Sequence, residues 1–176
     1  MNPIFLKIGN ISIYWYSIFI LIGILTACTI VLREANKKNI PKKFIEDLFF
    51  YTIIFGLIGA RLYYVIFEYK QYINNPLDIF KVWEGGLAIH GGIIAGLITI
   101  IIMTKKHKIS ILEMTDMIVV GVIIAQAIGR WGNFFNGEAY GPVTTLDNLK
   151  QLHIPQFIIN GMNINGVYYH PTFLYE

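Results

Sequence analysis

Cysteine is almost absent from this sequence, because Cys28 is the only one in 176 residues. A single thiol excludes an intramolecular disulfide, a CxxC metal site and a redox pair. Cys28 ends the stretch "LTAC", which looks like the small-residue tetrapeptide of a bacterial lipoprotein signal. Such a signal is basic before its apolar core, whereas the cations here follow it, so we interpret the stretch as part of an uncleaved helix.

Charge is also scarce, at 14% of residues against 55% hydrophobic residues. These proportions lie outside the range of ordinary soluble domains and are typical of a protein built for a lipid bilayer. The net charge of +3 is modest and the cations form no nucleic-acid patch, so we expect no nucleic-acid partner. The sequence contains no internal repeat, low-complexity tract or second domain.

Four apolar runs are long enough to cross a bilayer, which takes about 20 helical residues. They predict an all-α fold, a polytopic transmembrane helical bundle forming one integral-membrane domain over residues 1–176. The spans are expected near 11–32, 47–67, 86–104 and 111–131. We expect an outer segment over 137–170, with a small β-hairpin at the Asn-Gly pairs of "QFIINGMNINGVYY", and a fifth helix from Pro171.

The basic residues predict how the spans are oriented. Lysine and arginine are concentrated between the first and second spans and between the third and fourth. Because such loops stay on the cytoplasmic side, we expect the N-terminus to lie outside.

Three ionisable residues, Arg61, His90 and Arg130, are then expected near the outer ends of three different spans. A charged arginine in hydrocarbon costs about 2.5–3.5 kcal/mol on insertion scales, so it normally faces a cavity or a partner. For Arg61 the alternatives are an ion pair with Glu68 or Glu138, or snorkelling to the interface. For His90 the alternative is a hydrogen-bonded core residue. No second ligand stands beside His90 at metal spacing, so we expect neither a metal nor another cofactor.

The stretch "GRWGNFFNGEAYG" places polar residues at the end of the fourth apolar run. If the helix continues, one face carries a polar stripe made of Gln126, Arg130, Asn133 and Gly137. Asn133 and Asn136 are also acceptable as caps or turn formers, so a structural role stays open for both.

Two inward-facing arginines suit a lipid phosphate, because guanidinium makes bidentate, charge-assisted bonds to phosphate oxygens. They can also stabilise that phosphate as a leaving group while a histidine or carboxylate removes a proton from the nucleophile. The alternatives are an anion or lipid transporter and a non-catalytic lipid-binding membrane subunit. The inner halves of the third and fourth runs are apolar, which favours a site that opens outward or sideways over a channel.

The motifs "GRWGNFFNGEAYG", "HGG" and "HPTFLYE" resemble those of the bacterial prolipoprotein diacylglyceryl transferases. The resemblance implies transfer of the sn-1,2-diacylglyceryl group from phosphatidylglycerol to the lipobox cysteine thiol in the signal peptide of a prolipoprotein. The products would be a thioether and glycerol phosphate. It also implies a multi-pass protein of the bacterial cytoplasmic membrane, with its active site toward the extracytoplasmic side.

The same resemblance implies site residues. Those expected to bind substrate are Tyr16, Arg61, Arg130, Asn133 and Asn136, and those expected to be catalytic are His90, Arg130 and Glu138. Arg130, assisted by Arg61, would hold the phosphate, and Asn133 would bond the headgroup. Glu138 would orient Arg130, and His90 would activate the thiol, which is a weak nucleophile until it is deprotonated.

Members of this family continue after "LYE" with further helices. We therefore expect this chain to be C-terminally truncated.

Overall fold

Four long helices dominate the computed structural model, which describes residues 3–9 and 11–175 and leaves out the side chain of residue 11. Glu176, the last residue of "HPTFLYE", lies outside the described residues. The helices are α1 (Trp15–Lys37), α2 (Lys42–Phe67), α3 (Ile89–Lys106) and α4 (Ile111–Asn136). Each is long and apolar enough to cross a membrane, which confirms the four predicted spans and a multi-pass membrane protein. The predicted orientation of the N-terminus stays a prediction.

The helix boundaries differ from the prediction where backbone geometry decides them. Residues 11–14 are not helical, because strand β2 (Ile11–Tyr14) pairs antiparallel with β1 (Ile4–Ile8). Helix α3 begins at Ile89 and not at residue 86. Gly85 and Gly86 both have positive φ angles, which a right-handed helix does not contain. Helix α2 begins earlier than predicted, and α4 runs on to Asn136. Gln126, Arg130 and Asn133 of the predicted polar stripe are therefore helical, whereas Gly137 lies just beyond the end of the helix.

The chain divides into two compact units. One unit comprises Met1–Ile30 and Val119–Glu176, and the other comprises Val31–Ile118. We call them the terminal unit and the central unit.

The central unit is built on close packing between α2 and α3. Glycines of the two helices meet backbone to backbone: a Cβ at Gly91 would collide with the carbonyl oxygen of Gly59. Such contacts are typical of membrane helices, where small residues let two backbones approach. An apolar cluster lies farther along the unit and consists of Val31, Ala35, Phe44, Ile45, Leu48, Ile100, Met114 and Met117.

Replacing Gly91 by alanine should destabilise the central unit by about 1–3 kcal/mol, because the new methyl group meets backbone and the helices must separate. Gly92→Ala is the matched control, since its nearest neighbour, the Gly56 carbonyl oxygen, lies 3.4 Å from the added Cβ. In lipid nanodiscs we expect Gly91→Ala to unfold at a temperature several degrees below that of wild type, and Gly92→Ala to unfold at the wild-type temperature. Equal unfolding midpoints for the two variants would contradict the close packing.

In the terminal unit, α1 packs against α4 through small residues. A Cβ on Gly121 would lie 3.2 Å from the Cα of Ala27, and one on Gly23 would lie 3.1 Å from the carbonyl oxygen of Ala125. The far end of α4 is covered by helices α6 (Gln156–Gly161) and α7 (Thr172–Tyr175). One buried cluster joins them to α4, made of Phe134 of α4, Ile158 of α6, Met162 directly after α6, and Phe173 of α7.

The segment between α4 and α7 contains the remaining elements. They are β3 (Val143–Thr144), α5 (Leu146–Gln151), α6, β4 (Asn163–Ile164) and β5 (Val167–Tyr169), and the sheet order is β3-β5-β4. The predicted hairpin is confirmed at the second Asn-Gly pair, where Asn165 and Gly166 both have positive φ angles. The first pair, Asn160-Gly161, instead ends α6. Helix α7 begins at Thr172, directly after the predicted Pro171.

Candidate functional site in the terminal unit

The end of α4 is closed by a Schellman turn. Gly137 has φ +67°, its N–H donates to the carbonyl of Phe134, and the N–H of Glu138 donates to the carbonyl of Asn133. These are the two bonds that define this C-cap, with glycine in the left-handed position. The turn reverses the chain so that Glu138 lies beside the last turns of α4.

Glu138 accepts hydrogen bonds from two side-chain amides of α4. Its Oε1 accepts hydrogen bonds from Nδ2 of Asn133 at 3.3 Å and from Nδ2 of Asn136 at 3.2 Å. The carboxylate itself is exposed, whereas both asparagines are half-buried. Asn133 and Asn136 are therefore oriented by a side chain as well as by the helix. The predicted contact of Glu138 with Arg130 stays a prediction.

Arg130 and Tyr16 lie at the same end of the terminal unit. Arg130 is half-buried one turn before Asn133, on the predicted polar stripe. Tyr16 lies in the first turn of α1 and packs against Gly132, where an added Cβ would lie 2.9 Å from the tyrosine ring. Gly132 stands between Arg130 and Asn133 in sequence, so the unit brings Tyr16 close to the polar end of α4.

The "HPTFLY" motif is bonded to the chain that leaves this turn. The N–H of Gly141 donates to the carbonyl of His170 at 2.9 Å, and Oγ1 of Thr172 donates to the carbonyl of Ala139 at 2.8 Å. Nδ1 of His170 lies 3.1 Å from the hydroxyl of Tyr175. The sequence reasoning assigned no role to His170, Thr172 or Tyr175, although the motif that contains them was the available signal.

Replacing Gly137 by alanine should destabilise the protein by about 1 kcal/mol, because the left-handed conformation is strained for a residue with a Cβ. Apart from its two chain neighbours, no atom of the described residues lies within 4 Å of the added Cβ, so strain is the only cost expected. Gly137→Asn is the matched control, since asparagine tolerates this conformation better than alanine. Thermal unfolding in nanodiscs should rank wild type first, then Asn, then Ala; an alanine variant as stable as wild type would refute the strain.

Candidate residues in the central unit

His90 is exposed in the first turn of α3. The plane of its ring lies at 30° to that of Tyr63 on α2, with 6.1 Å between ring centroids. The imidazole nitrogens are therefore not enclosed by the central unit. His90 and Arg61 belong to this unit, whereas the other five predicted site residues belong to the terminal unit. Convergence of the two groups on one substrate stays a prediction.

Arg61 is buried on α2, with 7% of its surface exposed, and its guanidinium bonds backbone carbonyls. Nε donates to Ile79, Nη1 donates to Gly85 and Gly86, and Nη2 donates to Asp78 and Lys81. Arginine has five N–H groups, and these bonds engage all of them. The guanidinium thus bonds carbonyls and not the Glu68 carboxylate that we considered. The predicted contact of Arg61 with a phosphate stays a prediction.

No group of three or more His, Cys, Asp or Glu side chains suited to a metal occurs within residues 3–9 and 11–175.

Relation to known proteins

Fold and site together define a class: a multi-pass helical membrane protein with arginine, asparagine and glutamate side chains gathered at one end of an apolar span. Residues 3–176 match the model of the prolipoprotein diacylglyceryl transferase family. The chain belongs to this family, which confirms the resemblance seen in its motifs.

Curated relatives are similar in sequence to this chain over all of its 176 residues. It is 47% identical to a protein of Halalkalibacterium halodurans and 48% identical to one of Listeria monocytogenes, each over 176 residues. A Staphylococcus aureus protein is 45% identical over the same length. All three are named phosphatidylglycerol–prolipoprotein diacylglyceryl transferase. The chain spans 61%, 64% and 63% of these three relatives, respectively.

Proposed function

We propose that this chain takes part in transferring the sn-1,2-diacylglyceryl group of phosphatidylglycerol to the lipobox cysteine of a prolipoprotein. The observation that supports this proposal most directly is the family match over residues 3–176. The names of the relatives supply the two substrates. The protein would act in the bacterial cytoplasmic membrane, with its site toward the extracytoplasmic side.

The reaction is a displacement at carbon. The cysteine sulfur forms a bond to the glyceryl CH₂ that carries the phosphate, and the C–O bond of that carbon breaks. The bonding pair leaves with the phosphate oxygen, so glycerol phosphate departs as an anion and a thioether remains. The thiol proton passes to a base. Catalysis therefore needs a group that stabilises the departing phosphate and a group that accepts the proton.

In the terminal unit, we assign the phosphate to Arg130, whose guanidinium is suited to bidentate bonds with phosphate oxygens. Asn133 and Asn136 would bond the glycerol headgroup, and the exposed carboxylate of Glu138 holds both asparagine side chains in place. Tyr16, packed on Gly132, would line the same end. Support for these roles comes from the clustering of the five residues around the last turns of α4.

In the central unit, we assign proton removal to His90. Its exposure at the first turn of α3 leaves the imidazole open to an incoming thiol. A histidine base near neutral pH suits a thiol, which needs deprotonation before it attacks. Arg61 is left out of the proposed phosphate site because its five N–H groups are engaged.

The test is transfer of a radiolabelled diacylglyceryl group from phosphatidylglycerol to a synthetic lipobox peptide in nanodiscs. Two preparations are compared: the chain itself, and a chimera in which its 176 residues replace the matching part of the Listeria monocytogenes relative. We expect a labelled thioether and released glycerol phosphate from at least one preparation. Phosphatidylglycerol binding without transfer in either preparation would indicate a lipid-binding subunit and overturn the proposal.

A further inference from the structure

The connection from α2 to α3 is an irregular segment that begins and ends at the same edge of the central unit. It contains three short 3-10 turns, Tyr69–Gln71, Pro76–Phe80 and Val82–Glu84. It then passes through Gly85 and Gly86, which have φ angles of +94° and +74°. Short 3-10 turns have poor internal bonding, so such a segment needs an external partner to hold one conformation.

Arg61 supplies that partner. Its guanidinium bonds five carbonyls that span residues 78–86, with distances of 2.6–3.4 Å. The ring of Tyr72, from the same connection, lies 5.4 Å from the guanidinium carbon in a cation–π contact. One buried side chain therefore fixes both the middle and the end of the connection. We call residues 78–86 with Arg61 the arginine clamp.

The nearby carboxylates are engaged elsewhere. Asp78 accepts bonds from Lys81 at 2.6 Å and from Asn75 at 3.0 Å, and Glu84 lies 3.8 Å from Lys81. The hydrogen bond and charge of Asp78, with the charge of Glu84, raise the pKa of Lys81 above its ordinary value. The partners of the Arg61 charge are thus backbone carbonyls and not carboxylates, and these bonds hold the backbone of the connection in place.

The clamp leads directly into the first turn of α3. The N–H of Ala88 donates to the carbonyl of Ala60 at 3.0 Å, one residue before Arg61. Gly91 then packs on Gly59, and the Tyr63 ring stacks on that of His90. Residues 59–63 of α2 therefore contact the chain at several points between residue 78 and residue 91. The direction in which α3 starts, and with it the place of His90, depends on these contacts.

We propose that Arg61 is a positioning residue, which sets the place of His90 by clamping residues 78–86 and does not touch substrate. The inference rests on the proposed function, because it concerns the base of that reaction. It predicts a kinetic split. Loss of Arg61 displaces His90 and lowers kcat by about 100-fold, the cost of a displacement of about 1 Å at a reacting group. KM for phosphatidylglycerol stays within about threefold, because no phosphate contact is lost.

The experiment compares Arg61→Ala, Arg61→Lys and Lys70→Gln, an exposed cation of the same connection that serves as the control. Transfer kinetics are measured in the preparation that shows activity, and hydrogen exchange by mass spectrometry is measured in the chain in nanodiscs. We expect hydrogen exchange over residues 78–91 to be at least about tenfold faster in both Arg61 variants, because the clamp suppresses local unfolding of this segment. Lysine has three N–H groups and no planar fork, so it does not restore the clamp. Exchange in α4 should be unchanged, which shows that the variants are folded.

The possible outcomes separate the inference from the proposed function. A raised KM with unchanged exchange over 78–91 would make Arg61 a phosphate ligand and overturn the inference. Unchanged exchange in the folded Arg61→Lys protein would overturn it as well, even if Arg61→Ala does not fold. Absence of transfer in wild type would sink the proposed function alone, because the exchange measurement still decides whether Arg61 clamps the start of α3.

Discussion

Arg130→Ala should lower kcat/KM for diacylglyceryl transfer by about 100- to 1000-fold, the loss seen when a preorganised donor to a developing oxyanion is removed. The leaving group is a phosphate oxygen that gains charge as the C–O bond breaks, so a cation there stabilises the transition state more than the ground state. The half-buried position of Arg130 in α4 strengthens this interaction, since charges act more strongly away from water. The measurement is the initial rate of thioether formation over a range of phosphatidylglycerol concentrations.

Two further variants sharpen this experiment. Arg130→Lys keeps the charge but loses the bidentate fork, so its activity should lie between those of wild type and alanine. Arg33→Ala removes an exposed arginine near the C-terminal end of α1, far along that helix from Tyr16, and should leave transfer unchanged. If Arg130→Ala and Arg33→Ala were equally active, the phosphate would have to be held elsewhere.

His90→Gln should lower kcat by about 100- to 10,000-fold, the range that a positioned general base contributes. Glutamine keeps hydrogen-bonding capacity and similar size, so binding of phosphatidylglycerol should persist while the thiol loses its proton acceptor. Single-turnover formation of the thioether measures the chemical step directly, and a filter-binding assay with labelled lipid measures the retained affinity.

His107→Gln is the control for this prediction. His107 is exposed at the opposite end of α3, against the ring of Phe44, and should be dispensable for transfer. Full turnover in His90→Gln, with lipid binding intact, would end the role of His90 as the base and direct the search to other groups of the site.

The four spans were predictable because their signal is physical and local. A run of about 20 apolar residues has no stable alternative to a membrane helix, so length and composition suffice. The boundaries were harder. The N-terminal strand pair was missed because Ile11–Tyr14 continues the apolar run of α1, and only pairing with Ile4–Ile8 separates it. The start of α3 depended on the positive φ angles of Gly85 and Gly86.

The candidate site was predictable to a different extent in each unit. The stripe through Arg130 and Asn133 followed from helical periodicity, but the sequence analysis also placed Gly137 on that stripe, whereas its positive φ angle ends the helix. The bonds from Asn133 and Asn136 to Glu138 depend on the geometry of that turn, which the spacing alone did not give.

The partners of Arg61 could not be predicted at all. They are main-chain carbonyls, and a carbonyl is present at every residue whatever its side chain. Sequence reasoning about a buried cation searches for acidic residues, and here it proposed carboxylates. Carbonyl partners become visible only when the path of the connection between α2 and α3 is known.

The bonds that join residues 139–142 to 170–172 decide where the chain between them can change in length without disturbing its neighbours. The carbonyls of Ala139 and Pro142 accept from Thr172 and His170, so the chain leaves and returns at adjacent points. These bonds close the base of the segment from β3 to β5, and α6 within that segment also packs on α4 through Ile158 and Met162. Residues added at the exposed Asn165-Gly166 tip, between β4 and β5, should therefore leave Glu138 and α7 in place.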